Sequence, residues 1–262
     1  MWPRRATPPR SRPLALTVSP LGRLPEVAPG DDLGALLAAA APEDLANGDV
    51  IAVAHKVVSK AEGRVVRLGD VEPGARARAL SVEHGKDARL VEVVLSESVE
   101  LLRAARGVLV CRTRHGFVCA NAGVDVSNVL TADEVVLLPL DPDASARRLR
   151  DEIASARDVR PAVLVTDSFG RPWRLGQTDV AIGVAGLIPL DDWRGRPDAQ
   201  GRELRATAIA AADAAAAAAD LVRRKDSGEP AVLVRGVEHL VADADGPGAS
   251  ALRRPPEEDL FR

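Results

Sequence analysis

Short runs of apolar, β-branched residues bracketed by turn formers are the feature that most constrains how this chain folds. Asp49 to Ala54, Pro161 to Thr166 and Ala231 to Val234 each read as a buried strand. Ala15 to Val18 and Val135 to Leu140 are further strand candidates, and Val108 to Arg112 with Phe117 to Ala120 reads as a hairpin turning at Thr113-Arg114-His115-Gly116. Helical stretches lie between them. Asp31 or Asp32 caps a helix that runs to Ala41 and stops at Pro42, and Pro73 to Ala104 reads as two helices broken near Gly85. Asp143 to Ala156 reads as a helix capped by Asp143, and Arg202 to Lys225 as one long alanine-rich helix whose last-turn cations suit the macrodipole. Strands and helices mix without strict βαβ alternation. The expectation is therefore an α+β fold with two lobes, rather than a doubly wound sheet.

Composition narrows the function. Net charge is −3 over 262 residues, so bulk electrostatics favour neither a nucleic acid nor a membrane as partner. Aromatics are 2% with no tyrosine, which removes stacking platforms for single strands and any tyrosine acid. Cys111 and Cys119 are too few for a disulfide scaffold. Residues 1–13 carry four arginines and four prolines without an apolar run, which excludes a secretory signal and reads as a disordered leader before a single domain from residue 14 to residue 262. No apolar stretch is long enough for a membrane helix, so a cytoplasmic protein is expected.

Three stretches are rich in residues that packing does not require. Ala54-His55-Lys56-Val57-Val58-Ser59-Lys60 follows a buried strand and offers ammonium groups to a phosphate, although it lacks the glycines of a P-loop; a solvated turn accounts for the same residues. Asn121, Asp125, Ser127 and Asn128 share one short loop whose oxygen donors suit Mg²⁺ or Mn²⁺ better than zinc; an Asx-type turn is the alternative. Asp167 at the exit of a strand, followed by Ser168, can hold a metal that bridges phosphates, with Arg171 and Arg174 supplying charge for an anion. A helix cap by Asp167 is disfavoured by Gly170 and Pro172. These side chains describe a metal-dependent nucleotide enzyme.

The stretch Arg114-His115-Gly116-Phe117-Val118-Cys119-Ala120-Asn121-Ala122-Gly123-Val124-Asp125, followed by Ser127-Asn128, resembles the signature of coenzyme F420-0:L-glutamate ligases. So does Thr166-Asp167-Ser168-Phe169-Gly170-Arg171-Pro172-Trp173-Arg174 with Gly176-Gln177-Thr178-Asp179, and the likeness runs from about Leu14 to the carboxyl terminus. The resemblance implies a two-lobed α+β fold, a homodimer, and GTP-dependent addition of L-glutamate to coenzyme F420-0. It also implies Mg²⁺ or Mn²⁺ assisted by K⁺. Carried over, Asp125 and Asp167 match the ligands of one metal, and Ser168 matches a ligand of a second. Leu24, Pro25, Glu26, Val27, Lys60 and Asn128 match contacts to the guanine nucleotide. At one such contact the family usually has serine; His55 stands here, bulkier but able to donate a hydrogen bond.

The chemistry so implied runs through an acyl phosphate on the F420-0 carboxylate, displaced by the amine of glutamate, with further γ-linked additions. Some relatives continue into a flavin-binding domain; on length, a reductive step here is expected from a separate protein. A non-catalytic nucleotide sensor and a ligase for another acidic acceptor are the competing readings.

Overall fold

The computed structural model describes residues 15–129 and 131–259. The basic leader at 1–13 lies outside the described residues. In chain order, β1 (Thr17–Pro20) and α1 (Leu33–Ala40) precede β2 (Val50–Ala54), which runs directly into α2 (His55–Ala61). Next come β3 (Val65–Arg67), α3 (Ala75–His84), α4 (Ala88–Ser96), β4 (Ser98–Ala105), β5 (Val108–Thr113) and β6 (Val118–Ala120). Then follow β7 (Glu134–Val136), α5 (Pro142–Arg157) and the long hairpin β8 (Ala162–Arg171) and β9 (Arg174–Ala185). A short hairpin, β10 (Asp191–Asp192) and β11 (Ala208–Ile209), leads to α6 (Ala211–Val222) and β12 (Ala231–Arg235). The fold is α+β, as expected.

The central sheet has the order β1-β12-β2-β8-β9. Only β2 and β8 pair in parallel; the other neighbours are antiparallel. Alternate residues of these strands feed two cores. Ile51, Val53, Val163, Val165 and Ile182 pack with Leu33 and Leu37 of α1 and Leu149 and Ile153 of α5. Val50, Ala52, Leu164, Val184 and Val232 pack against Ala212, Ala215, Ala216 and Ala219 of α6. Both faces are therefore covered, which is why β2 reads as an unbroken apolar run. A separate cluster joins α3 and α4 to β5 and to the β3–β7 ribbon through Ala77, Val91, Val94, Leu109, Cys111 and Val135. Cys111, in this cluster, and the buried Cys119 are free thiols, and burial pushes the Cys119 thiol up to about 12, which disfavours the thiolate. No helix among the described residues is long and apolar enough to cross a membrane.

Several local expectations are corrected. Asp141, rather than Asp143, caps α5: its Oδ1 accepts from the Ala144 amide at 2.9 Å, and Pro142 takes the first helical turn where a missing amide costs nothing. Asp143 instead ties the helix to the sheet, its Oδ1 accepting from Val184 N at 2.8 Å and Ala249 N at 2.7 Å. The long helix from Arg202 shrinks to α6, because Leu204 and Thr207 give their backbones to Gly195, Arg196 and Trp193, and tertiary pairing overrides helix propensity. Ser98–Ala105 is a strand where the second helical stretch was expected to continue. The strand ending near Thr166 extends to Arg171 and returns as β9, so Asp167 lies within a strand.

Gly183 sits where β9 crosses the start of α5. A Cβ there would overlap the Pro142 carbonyl, a backbone group that cannot swing away. Gly183→Ala should cost about 1–3 kcal/mol through overpacking, read as a lowered denaturation midpoint; an unchanged midpoint would show that the helix can retreat at no cost.

Candidate active site

The parallel register of β2 and β8 pairs Ala54 with Thr166. The residues that follow, His55 at the start of α2 and Asp167 within β8, emerge side by side, and His55 Nε2 lies 3.3 Å from Asp167 Oδ1. Adjacent carboxyl ends of parallel strands are where open sheets present ligand sites. A cleft of about 640 Å³ opens here. Its walls are α2, the loop after β1, the ends of β8 and β9, the Asp125–Val129 loop and the turn after α6.

Every residue that the resemblance assigned to nucleotide or metal lines this one cleft: Leu24, Pro25, Glu26, Val27, His55, Lys60 and Asn128, with Asp125, Asp167 and Ser168. Those residues span more than one hundred and forty positions of sequence, so the fold, not chain proximity, gathers them. Arg171 and Arg174 are not among them. They flank the two-residue turn of the β8–β9 hairpin, exposed, with Arg171 Nη2 donating to Leu175 O at 2.7 Å. A grip on substrate by these two arginines has no support from their placement within the chain.

Asp125 is held by its backbone and by its neighbours. It exchanges both backbone hydrogen bonds with Val136, and its Oδ1 accepts from Ser127 N at 2.6 Å, the Asx turn the sequence allowed. Lys56 Nζ sits 2.8 Å from Asp125 Oδ2 and donates to Ser127 Oγ at 2.6 Å. Burial disfavours the Asp125 carboxylate, but the hydrogen bonds from Lys56 and Ser127 outweigh it and hold its pKa below the ordinary value. Asn128 next to it adopts a left-handed φ of 56°, a conformation asparagine tolerates. Across the cleft, Lys60 Nζ donates to Glu26 Oε1 at 2.5 Å.

Beneath Ser168 lies a buried network that sequence reasoning missed. Asp179 is 1% exposed and pairs with Arg223, itself buried. Thr166 Oγ1 donates to Asp179 Oδ2 at 2.9 Å and accepts from Arg223 at 2.8 Å. Ser168 Oγ donates to Asp179 Oδ1 at 2.6 Å and accepts from Lys225 Nζ at 3.0 Å. A hydroxyl has two acceptor lone pairs, so Ser168, its proton committed to Asp179, keeps one for a ligand. Asp179 closes one of the motifs that carry the family resemblance, but its partner Arg223 lies where the sequence predicts the last turn of a long helix. The helix ends at Val222, and Arg223 turns inward as its cap.

The charge inventory of the cleft is mixed. Lys56, Lys60, Arg223, Arg224 and Lys225 face Glu26, Asp125, Asp167, Asp179 and Glu229. A polyanion alone meets carboxylates here and a cation alone meets ammonium groups; a divalent ion on a polyphosphate satisfies both. Among the described residues no three His, Cys, Asp or Glu side chains gather as a metal cluster. That donor set fits an ion held by one or two protein carboxylates and completed by substrate oxygens, the habit of Mg²⁺ and Mn²⁺. One buried atom also lacks a partner here: His55 Nε2 makes no hydrogen bond.

The profile of the F420-0:Gamma-glutamyl ligase family matches residues 22–236. The chain belongs to that family. It is similar to the coenzyme F420:L-glutamate ligase of Methanopyrus kandleri, 44% identical over 249 residues that cover 94% of this chain and 98% of the relative. The enzymes of the same name from Methanothermobacter thermautotrophicus and Haloarcula marismortui are each 44% identical, over 91% of this chain and 96% and 93% of their own. The matched span includes every lining residue named above.

The Asp179–Arg223 pair makes a stability prediction. Asp179→Ala leaves a buried guanidinium uncompensated and should cost about 3–5 kcal/mol, measured by urea denaturation. A loss below about 1 kcal/mol would mean that solvent reaches the pair.

Proposed function

We propose that this protein is a GTP-dependent ligase that joins L-glutamate to coenzyme F420-0. The carrying observation is the convergence of Asp125, Asp167 and Ser168 with Lys56 and Lys60 on one cleft. In this reading the terminal carboxylate of F420-0 attacks the γ-phosphate of GTP, forming an acyl phosphate and releasing GDP. The α-amine of glutamate then attacks the acyl carbon, the C–O bond to phosphate breaks, and an amide and inorganic phosphate result. A second glutamate would join through the γ-carboxylate of the first. K⁺ and a homodimeric assembly enter the proposal through the family resemblance.

The chain's own residues contribute binding and charge. Asp125, Asp167 and Ser168 would hold Mg²⁺ or Mn²⁺, which when bound neutralises triphosphate charge and fixes the transferring phosphate. Lys56, paired with Asp125, and Lys60 place ammonium groups in the same cleft, where they would offset phosphate charge as point cations. Leu24 to Val27 and Asn128 would receive the guanine nucleotide. Lys56 also keeps Asp125 ionised, and so ready to accept a cation. Asp179 orients the Ser168 hydroxyl by taking its proton.

The direct test incubates the protein with GTP, Mn²⁺, L-glutamate and F420-0. GDP release with a glutamate-sized mass gain on F420-0 is expected. GTP turnover only with another acceptor would relocate the substrate, and absence of turnover with any acceptor would reduce the protein to a nucleotide binder. Asp167→Asn should lower turnover at least 10²-fold while leaving the melting temperature within a few degrees; near-normal rates at saturating metal would remove Asp167 from the site.

A further inference from the structure

We infer that His55 is a nitrogen ligand to the divalent ion held at Asp167, and that it tilts this site from Mg²⁺ towards Mn²⁺ and later first-row ions. The inference rests on the metal–nucleotide reading above and adds a ligand to it. His55 is 1% exposed, and its Nε2 finds no hydrogen-bond partner among the described residues although Asp167 Oδ1 is 3.3 Å away. The approach is close enough for contact but lacks hydrogen-bond geometry. It suits a shared ion instead: two ligands each about 2.1 Å from one centre and 3.3 Å apart subtend about 104° at it. That angle lies between octahedral and tetrahedral values.

The other ring nitrogen supports the assignment. His55 Nδ1 lies 3.4 Å from Ser59 Oγ, one turn along α2 and fully buried. With the proton on Nδ1 and directed at that hydroxyl, the lone pair sits on Nε2, facing Asp167. Ligating histidines are commonly oriented in this way by a partner on their second nitrogen. The β2–β8 register fixes the backbone beneath both residues, so the pair is preorganised rather than assembled on binding. Imidazole is a softer donor than carboxylate or water, and a site that gains one loses relative preference for Mg²⁺.

The test uses the whole chain labelled with ¹⁵N-histidine, loaded with Mn²⁺ and a non-hydrolysable GTP analogue, and read by pulsed electron paramagnetic resonance. His84, His115 and His239 do not line the cleft, so any histidine nitrogen coupled to the ion is His55. A nitrogen coupling that shifts between ¹⁴N and ¹⁵N protein is expected. In His55→Gln the coupling should vanish and Mn²⁺ affinity fall at least about tenfold, with Mg²⁺ affinity changing less. Saturable Mn²⁺ binding without histidine coupling would overturn the ligand role and leave the metal–nucleotide site standing. No saturable Mn²⁺ binding would overturn both. The labelled wild-type protein decides the question even if the variant fails to fold.

Discussion

The parallel pairing of β2 with β8 is the constraint on which the site depends. Once Ala54 is opposite Thr166, residues 55 and 167 have nowhere to go but next to one another, more than a hundred positions apart in sequence. The pairing is held by two cores at once, because the side chains of both strands alternate between the α1/α5 face and the α6 face. A one-residue slip would move every apolar side chain to the opposite layer. The geometry of the cleft is therefore secured by the same burial that secures the fold.

Around that fixed edge, charges are arranged in two regimes. Asp179 and Arg223 are buried, mutually paired and linked to Thr166, so they carry structure and set the direction of Ser168. Lys56 with Asp125 and Lys60 with Glu26 are more open to solvent. Interactions inside are stronger because the surroundings polarise little; those at the mouth are moderated by water. The floor of the cleft is thus the most buried part of its charge network, and the mouth the most exposed.

The resemblance motifs and the local chemistry were legible before any coordinates. Asp125, Asp167 and Ser168 could be singled out because acids and hydroxyls abut strands that otherwise contain only apolar residues. Asp179 could not be given its role, since a carboxylate at that position is explained only by Arg223. Arg171 and Arg174 show a limit of the same kind: charge next to a motif suggests a ligand, but it does not say that both arginines flank the exposed tip of the β8–β9 hairpin, outside the lining of the cleft. Helix limits failed where backbone pairing competed with propensity, as at Arg202 to Ala210.

The sequence by itself determined strands β1, β2, β8 and β12 of the central sheet but not β9, together with the absence of tyrosine and the residue types available to hold phosphate and metal. Those are properties of composition and short-range pattern, which neighbours along the chain decide. Only the tertiary structure decided that His55 meets Asp167, that Arg223 turns inward to Asp179, and that ten residues from four separate segments share one cleft. Such contacts depend on strand order and register, and these are fixed by the simultaneous burial of two sheet faces, a condition no local window of sequence contains.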